Sequence, residues 1–243
     1  MKLKAIFFVL ICAVLPGCTS DSANEVTPND PLTGLPNKGP IQLDNPVIGQ
    51  RSSYVYFTAT RKDETVNFSY PGDTLIVGIT GFESNQWVIK EFLGEGSVSK
   101  KNKSTSGSGS WKGYADSVFV SNMKIDADSI YVTRPKTRAY NSFAFAGRNW
   151  AFQILQVADT EPSNATCSPA FRYDSHVWME YSKNYTQHGK TFDRLNIHYD
   201  YRDMATDGFG FMYAYNLPNS FVRISWISYW ELNKADGWDL ISK

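Results

Sequence analysis

Two of the chain's three histidines stand two residues from a carboxylate: Asp174 with His176, and His198 with Asp200. In an extended segment, residues two apart project from one face, so each pair would present an imidazole beside a carboxylate. Were the two segments neighbouring strands, all four side chains would converge, a set suited to a divalent metal or to acid–base chemistry. The competing reading is a polar, solvated face of an antiparallel sheet. Oxygen-rich stretches make calcium a second candidate: Asp126 and Asp128, then Asp200, Asp203 and Asp207 before Gly208, then Asn233, Asp236 and Asp239. None has the spacing of a dedicated calcium loop, and Asp and Gly are ordinary turn formers. No cofactor is therefore expected.

Hydrolytic chemistry has less to draw on. A glycosidase needs two carboxylates roughly 5–9.5 Å apart, and Glu91, Glu180 and Glu231 lie in or near strand-like runs with nothing that pairs them. Serine-hydrolase, zinc-protease, phosphate-loop and EF-hand signatures are missing. Cys167, in Asn164-Ala-Thr-Cys-Ser-Pro169, reads as a packed, inert thiol in a turn.

Aromatic residues are the richer resource: 7 Trp, 14 Tyr and 15 Phe. Flat rings suit pleated sheet faces, and they also stack on the apolar faces of sugars. Trp111, Tyr114, Trp150, Trp178, Trp230 and Trp238 lie near turns and strand ends. Of these, Trp111, Tyr114 and Trp238 are the candidate ligand-binding residues. Trp111 stands out because it follows the polar Ser104–Ser110 loop and has little apolar company. Trp87, Trp150, Trp178 and Trp226 fall within strand-like runs and are expected in the core.

The elements that must position these residues are strands. From about Val47, short runs of β-branched and aromatic residues alternate with turn residues. Tyr54–Thr60, Thr65–Tyr70, Thr74–Ile79 and Trp87–Leu93 come first, then, beyond the Ser/Gly-rich loop 97–110, Ser117–Lys124, Ser129–Thr133, Ser142–Phe145 and Trp150–Val157. In Arg194–Tyr201, Leu195, Ile197, Tyr199 and Tyr201 share one face while Arg194, Asn196, His198 and Asp200 share the other, which predicts a half-buried strand with a solvated side. Phe209–Tyr215 and Phe221–Trp230 flank Asn216-Leu-Pro-Asn219, a hairpin signature. Helical periodicity is absent. Residues 47–243 thus predict one all-β domain, an antiparallel β-sandwich of jelly-roll-like topology, with a closed β-barrel as second choice. Residues 18–46, with Pro28, Pro31, Pro36, Pro40 and Pro46, predict a flexible linker.

The first residues supply an address. Lys2 and Lys4 precede an apolar run from Ala5 to Leu15, too short for the roughly 20 residues of a spanning helix and suited to a secretory signal. Leu15-Pro16-Gly17-Cys18 resembles the lipobox of bacterial lipoproteins, which implies cleavage after Gly17, a signal peptide of residues 1–17 and diacylglyceryl and acyl (palmitate-type) chains on Cys18. Two or three chains anchor stably where one is marginal. Thr19 follows the cysteine, and Ser20-Asp21 and Glu25 resemble the acidic stretch that exports Bacteroidota lipoproteins to the surface. Val47-Ile-Gly-Gln50, Tyr54-Val-Tyr-Phe57, Met204-Ala-Thr-Asp207-Gly208, Phe211-Met-Tyr213, Val222-Arg223 and Gly237-Trp-Asp-Leu240 are similar to stretches of uncharacterised Bacteroidota outer-membrane lipoproteins. That resemblance implies an outer-membrane location and no particular activity.

Charge narrows the partners. Removing residues 1–17 takes Lys2 and Lys4 from 24 basic residues and nothing from 24 acidic ones, leaving a formal charge of −2. A nearly neutral domain has no basic field to hold nucleic acid. The expected function is a membrane-anchored, surface-displayed binding module for a glycan or peptide. A structural or accessory subunit of an outer-membrane complex ranks second, and a hydrolase third.

Overall fold

Aromatic and β-branched residues at alternate positions make Arg51–Lys62 a strand, and the same pattern recurs along the chain. A computed structural model describes residues 37–40, 43–98, 118–126, 129–133, 150–153, 155–157, 166–216 and 220–243. The expected signal peptide, Cys18, most of the linker, Trp111 and Tyr114 lie outside the described residues. The strands are β1 (Asn37–Pro40), β2 (Arg51–Lys62), β3 (Thr65–Ser69), β4 (Thr74–Glu83), β5 (Gln86–Leu93), β6 (Phe119–Asp126) and β7 (Ser129–Thr133). They continue with β8 (Trp150–Gln153), β9 (Leu155–Val157), β10 (Val177–Gln187), β11 (Lys190–Asp200), β12 (Phe209–Asn216), β13 (Ser220–Ser228) and β14 (Lys234–Ser242). Helix among the described residues is one 3₁₀ turn, Arg202–Thr206. The chain is all-β, as its alternation predicts.

Twelve strands form one antiparallel sheet in the order β10-β11-β12-β13-β14-β2-β4-β5-β6-β7-β8, with β3 paired to β2 off this path. β1 and β9 form a separate two-stranded sheet. Laid flat, β12 and β7 would be about 34 Å apart at roughly 4.8 Å per strand spacing, yet Tyr215 of β12 and Ile130 of β7 line one pocket. The sheet is therefore curled, a half-barrel within the sandwich-or-barrel class.

Register assigns the faces. Tyr56 lies opposite Trp238, and Trp238 opposite Ile224, so these share the concave side with Tyr54, Leu75 and Leu93. Phe57, Gly237 and Ser225 share the convex side. Around β2, β13 and β14 that side is covered too, by Cys167 and Phe171 and by Phe68 of β3. Gly237 is required here: a Cβ on it would lie 2.5 Å from both the Phe57 ring and the Ile224 carbonyl.

Burial on both faces overturns one expectation. Every residue from Leu195 to Asp200 is buried, so that stretch of β11 has no solvated side. Asn196, His198 and Asp200 lie opposite Tyr215, Tyr213 and Phe211 in the concave interior. The end of the expected linker also belongs to the domain, since Leu43 is in the core and Pro46 is buried.

Gly237→Ala should lower unfolding free energy by about 1–3 kcal/mol, the usual cost of overpacking, read from the urea midpoint. A loss below about 0.5 kcal/mol, the scale of neutral surface changes, would mean that Phe57 does not need the glycine.

Candidate functional site

The strands run between two ends of the half-barrel. One end, here the Gln50 end, carries the start of β2 and the β4–β5 turn. The other, the Trp230 end, carries the β13–β14 turn, the 3₁₀ turn and residues 172–176, as the pairing of Asp200 with Val177 and of Phe209 with Ser228 requires.

The Asp–His pairs do not converge. Asp174 Oδ1 sits 2.6 Å from His176 Nδ1 and accepts the backbone N–H groups of Ser175 and His176 at 2.7 and 3.1 Å. Its other oxygen meets Arg172 Nε at 3.1 Å. His176 is exposed ahead of β10, whereas His198 and Asp200 point into the concave interior. Asp200 is held by Arg202, whose Nε and Nη2 each donate at 3.0 Å. Among the described residues no group of three or more His, Cys, Asp or Glu is placed to hold a metal. Asp174, His176, His198 and Asp200 are thus not gathered in one cluster: the first two lie in the segment before β10, and the other two on buried β11.

The calcium stretches are similarly engaged. Asp126 pairs with Lys124 at 3.0 Å, and Asp236 accepts from Tyr56 Oη at 2.7 Å. Asp239 is bound by Arg223 through Nε at 2.6 Å and Nη2 at 2.8 Å. The carboxylates considered for hydrolysis are dispersed. Glu91 is buried on β5, Glu180 accepts from Trp178 Nε1 on the edge strand, and Glu231 pairs with Lys234 in the β13–β14 turn.

Trp238 is corrected as well. It is 0% exposed and packs its ring 5.2 Å from Tyr56, so no ligand can stack on it. Alternation along β14 turns it inward. The exposed aromatics lie elsewhere. Trp230 is 72% exposed on the β13–β14 turn, and its ring meets Tyr229 edge-on at 5.1 Å. Tyr229 meets the exposed Tyr173 at 5.6 Å. The turn is held by Trp230 N–H donating to Ser228 Oγ at 3.2 Å, and by Glu231 and Lys234 N–H donating to the Ser228 and Glu231 carbonyls. Trp230 stood among the turn-proximal aromatics of the sequence. Nothing in its sequence setting separates it from Trp238; the register of β14 against β2 does.

The Gln50 end holds a small pocket, ≈ 60 Å³, whose apolar walls come in large part from β4 to β7. No family model matches the chain, and neither a curated protein nor a solved structure does.

Three pKa shifts follow from the packing. Burial pushes the Cys167 thiol up to about 12. Burial and then the Asp239 charge push Tyr70 up to about 12. For Asp239, burial alone would raise the pKa, but hydrogen bonds from Arg223 and His188 and the Arg223 charge hold it below the usual carboxylate value.

A carboxylate depressed in the folded state contributes stability that is fully present above its unfolded pKa of about 3.9 and lost as pH falls through the folded value. Asp239→Asn should therefore be less stable by about 3–5 kcal/mol at neutral pH and should lose less of what remains on acidification below about pH 4. Urea unfolding across pH checks both, and an unchanged acid limb would remove Asp239 as its source. Cys167 should resist thiol reagents at pH 8 until urea unfolds the domain, because almost no thiolate exists to react. Labelling at the rate of a free thiol in the native protein would show that the site opens.

Proposed function

We propose that the chain is a lipoprotein anchored through Cys18 in the outer membrane, and that its β-domain is a glycan-binding module displayed at the cell surface. The Leu15-Pro16-Gly17-Cys18 motif supports the anchor, and Ser20-Asp21 with Glu25 supports surface export. The binding reading rests on one observation, the cluster of exposed Trp230 and Tyr173 around half-buried Tyr229. A large indole left in water without a core role suits stacking on a flat apolar partner. Arg172, Asp174, His176, Asn233 and Lys234 crowd the same end and offer donors and acceptors to sugar hydroxyls. The indole and the hydroxyl-directed groups together fit a sugar ring, which is apolar on its faces and polar at its edges. This binding mode calls for no metal.

A second reading, an accessory subunit of an outer-membrane complex, is favoured by exposed Val118, Val120 and Tyr131 on adjoining strands β6 and β7. Those side chains would meet a protein partner on the convex face, away from the aromatic cluster.

The test is titration of the chain from Asn37 onward, which keeps Leu43 in the core, against bacterial, plant and host glycans by tryptophan fluorescence. At least one glycan class should bind saturably, and Trp230→Ala should weaken it by about tenfold or more, roughly 1.4 kcal/mol. The melting temperature should stay put, because Trp230 supports no core. Silence across the panel, or binding indifferent to Trp230→Ala, would end this reading and promote the accessory subunit.

A further inference from the structure

The pocket at the Gln50 end is built differently from the aromatic cluster. Its walls are Val77, Ile79, Ile89, Met123, Ile125 and Ile130, with Phe221 closing one side. Two of its five polar lining residues are used internally, Tyr54 Oη donating to the Phe221 carbonyl at 3.1 Å and Gln50 Oε1 accepting from Val47 N–H at 3.4 Å, while Asp44 is exposed at its edge. Hydroxyl-rich ligands would find few partners there, whereas an alkyl chain needs none. The pocket follows β2 from Gln50 through Ser52 to Tyr54, about 13 Å at roughly 3.3 Å per residue, which fits the end of a chain rather than a whole lipid.

The surroundings of the mouth indicate where such a chain would come from. Val47 is 65% and Ile48 58% exposed, in the turn that leads into β2. Gly78 lies opposite Arg51, the first residue of β2, so residues 79–83 of β4 project beyond that end and carry the exposed Phe82 at the hairpin tip. Three apolar side chains thus stand in water around an apolar opening. The described chain ahead of β2 lies at the same end. Leu43 and Asp44 lead straight into β2, and β8 runs out there, so that β9 and its partner β1 follow.

We propose that this pocket is a second binding site, which takes the end of an alkyl chain presented by a lipid of the membrane that holds the anchor. Val47, Ile48 and Phe82 dip into the bilayer surface and the pocket mouth opens onto its hydrocarbon. The proposal rests on the anchoring part of the proposed function and not on the glycan cluster, which lies at the opposite end.

The experiment uses the full lipidated chain in phosphatidylethanolamine–phosphatidylglycerol vesicles, doped with a phosphatidylcholine carrying a diazirine near the end of one acyl chain. After illumination, labelled peptides are mapped by mass spectrometry. Label should concentrate on Val77–Ile89 and Met123–Ile130, and Ser52→Phe, which fills the pocket, should cut it by about tenfold while the melting temperature holds. Ile125→Phe serves the same purpose if Ser52→Phe does not fold. Trp230→Ala should leave labelling unchanged, which separates this site from glycan binding, and vesicle flotation independently reads the anchor. Label confined to Val47, Ile48 and Phe82 would overturn the proposal. So would label indifferent to both filling variants, or label obtained only from the free diazirine fatty acid in solution.

Discussion

A guanidinium and a carboxylate taken out of water each lose several kcal/mol of hydration, so a buried pair survives only where its surroundings replace that solvation. Arg223 and Asp239 are both buried on the convex side, on adjacent strands. Their two parallel hydrogen bonds are supplemented from each covering segment. The Cys167 carbonyl accepts from Arg223 Nη1 at 2.7 Å, Tyr70 Oη donates to Asp239 Oδ2 at 2.9 Å, and His188 Nε2 stands 3.4 Å from the same oxygen. Phe68 and Phe57 lie under the guanidinium at 4.6 and 5.1 Å. Residues 166–171, the exit of β3 and the tip of the β10–β11 hairpin are thereby drawn to one point. Cys167 and His188 reach it with positive φ, 51° and 49°, a conformation that costs a non-glycine residue about 1–3 kcal/mol and persists only where its surroundings impose it.

That point explains why the sheet is wrapped on its outside as well as its inside. With the convex face of β2, β13 and β14 committed to the covering segments, the concave face can curl around Tyr54, Trp238 and Ile224. Little of the middle of the half-barrel then remains for recognition. Exposed aromatic and aliphatic side chains are left chiefly at the two ends and on the outer face of β6 and β7, where no described segment covers the sheet. Several of the carboxylates considered for calcium or hydrolysis have partners within the fold: Asp200 with Arg202, Asp239 with Arg223, Asp236 with Tyr56, and Asp126 and Glu231 with lysines.

Period-two alternation and turn residues made most strands readable, because Tyr54–Thr60, Thr74–Ile79, Trp87–Leu93 and the hairpin around residue 217 obey both rules. β14 escaped because Asp236, Gly237 and Asp239 read as turn or ligand residues. The physical cause is that Asp239 is neutralised by Arg223, a partner on another strand, and Gly237 makes room for Phe57, so neither residue's chemistry is local. β10 was legible only around Trp178 and Glu180, since Lys183 and Asn184 interrupt its apolar pattern. The same limit governs the site residues. His198 and Asp200 have the right spacing for a polar face, but whether that face meets water depends on the curl of strands far away in sequence. Trp230 and Trp238 looked alike as tryptophans near turns. Only the register, which turns Trp238 onto Tyr56, tells them apart.

The two ends differ in chemistry, and that difference bears on the proposed anchor. Chain that reaches the domain at Leu43 comes in beside an apolar opening fringed by Val47, Ile48 and Phe82, and polar groups are sparse in the lining. At the other end lies the Trp230 cluster, where an indole and two phenols stand beside charged and amide side chains. A short half-barrel held at one end, as the proposed anchor would hold it, cannot offer both ends to the same surroundings. If the apolar end rests on lipid, the aromatic end necessarily points away from it, toward whatever the cell meets. The strands, stiffened on their outer side by the buried ion pair, then act as the spacer that holds the one end off the other.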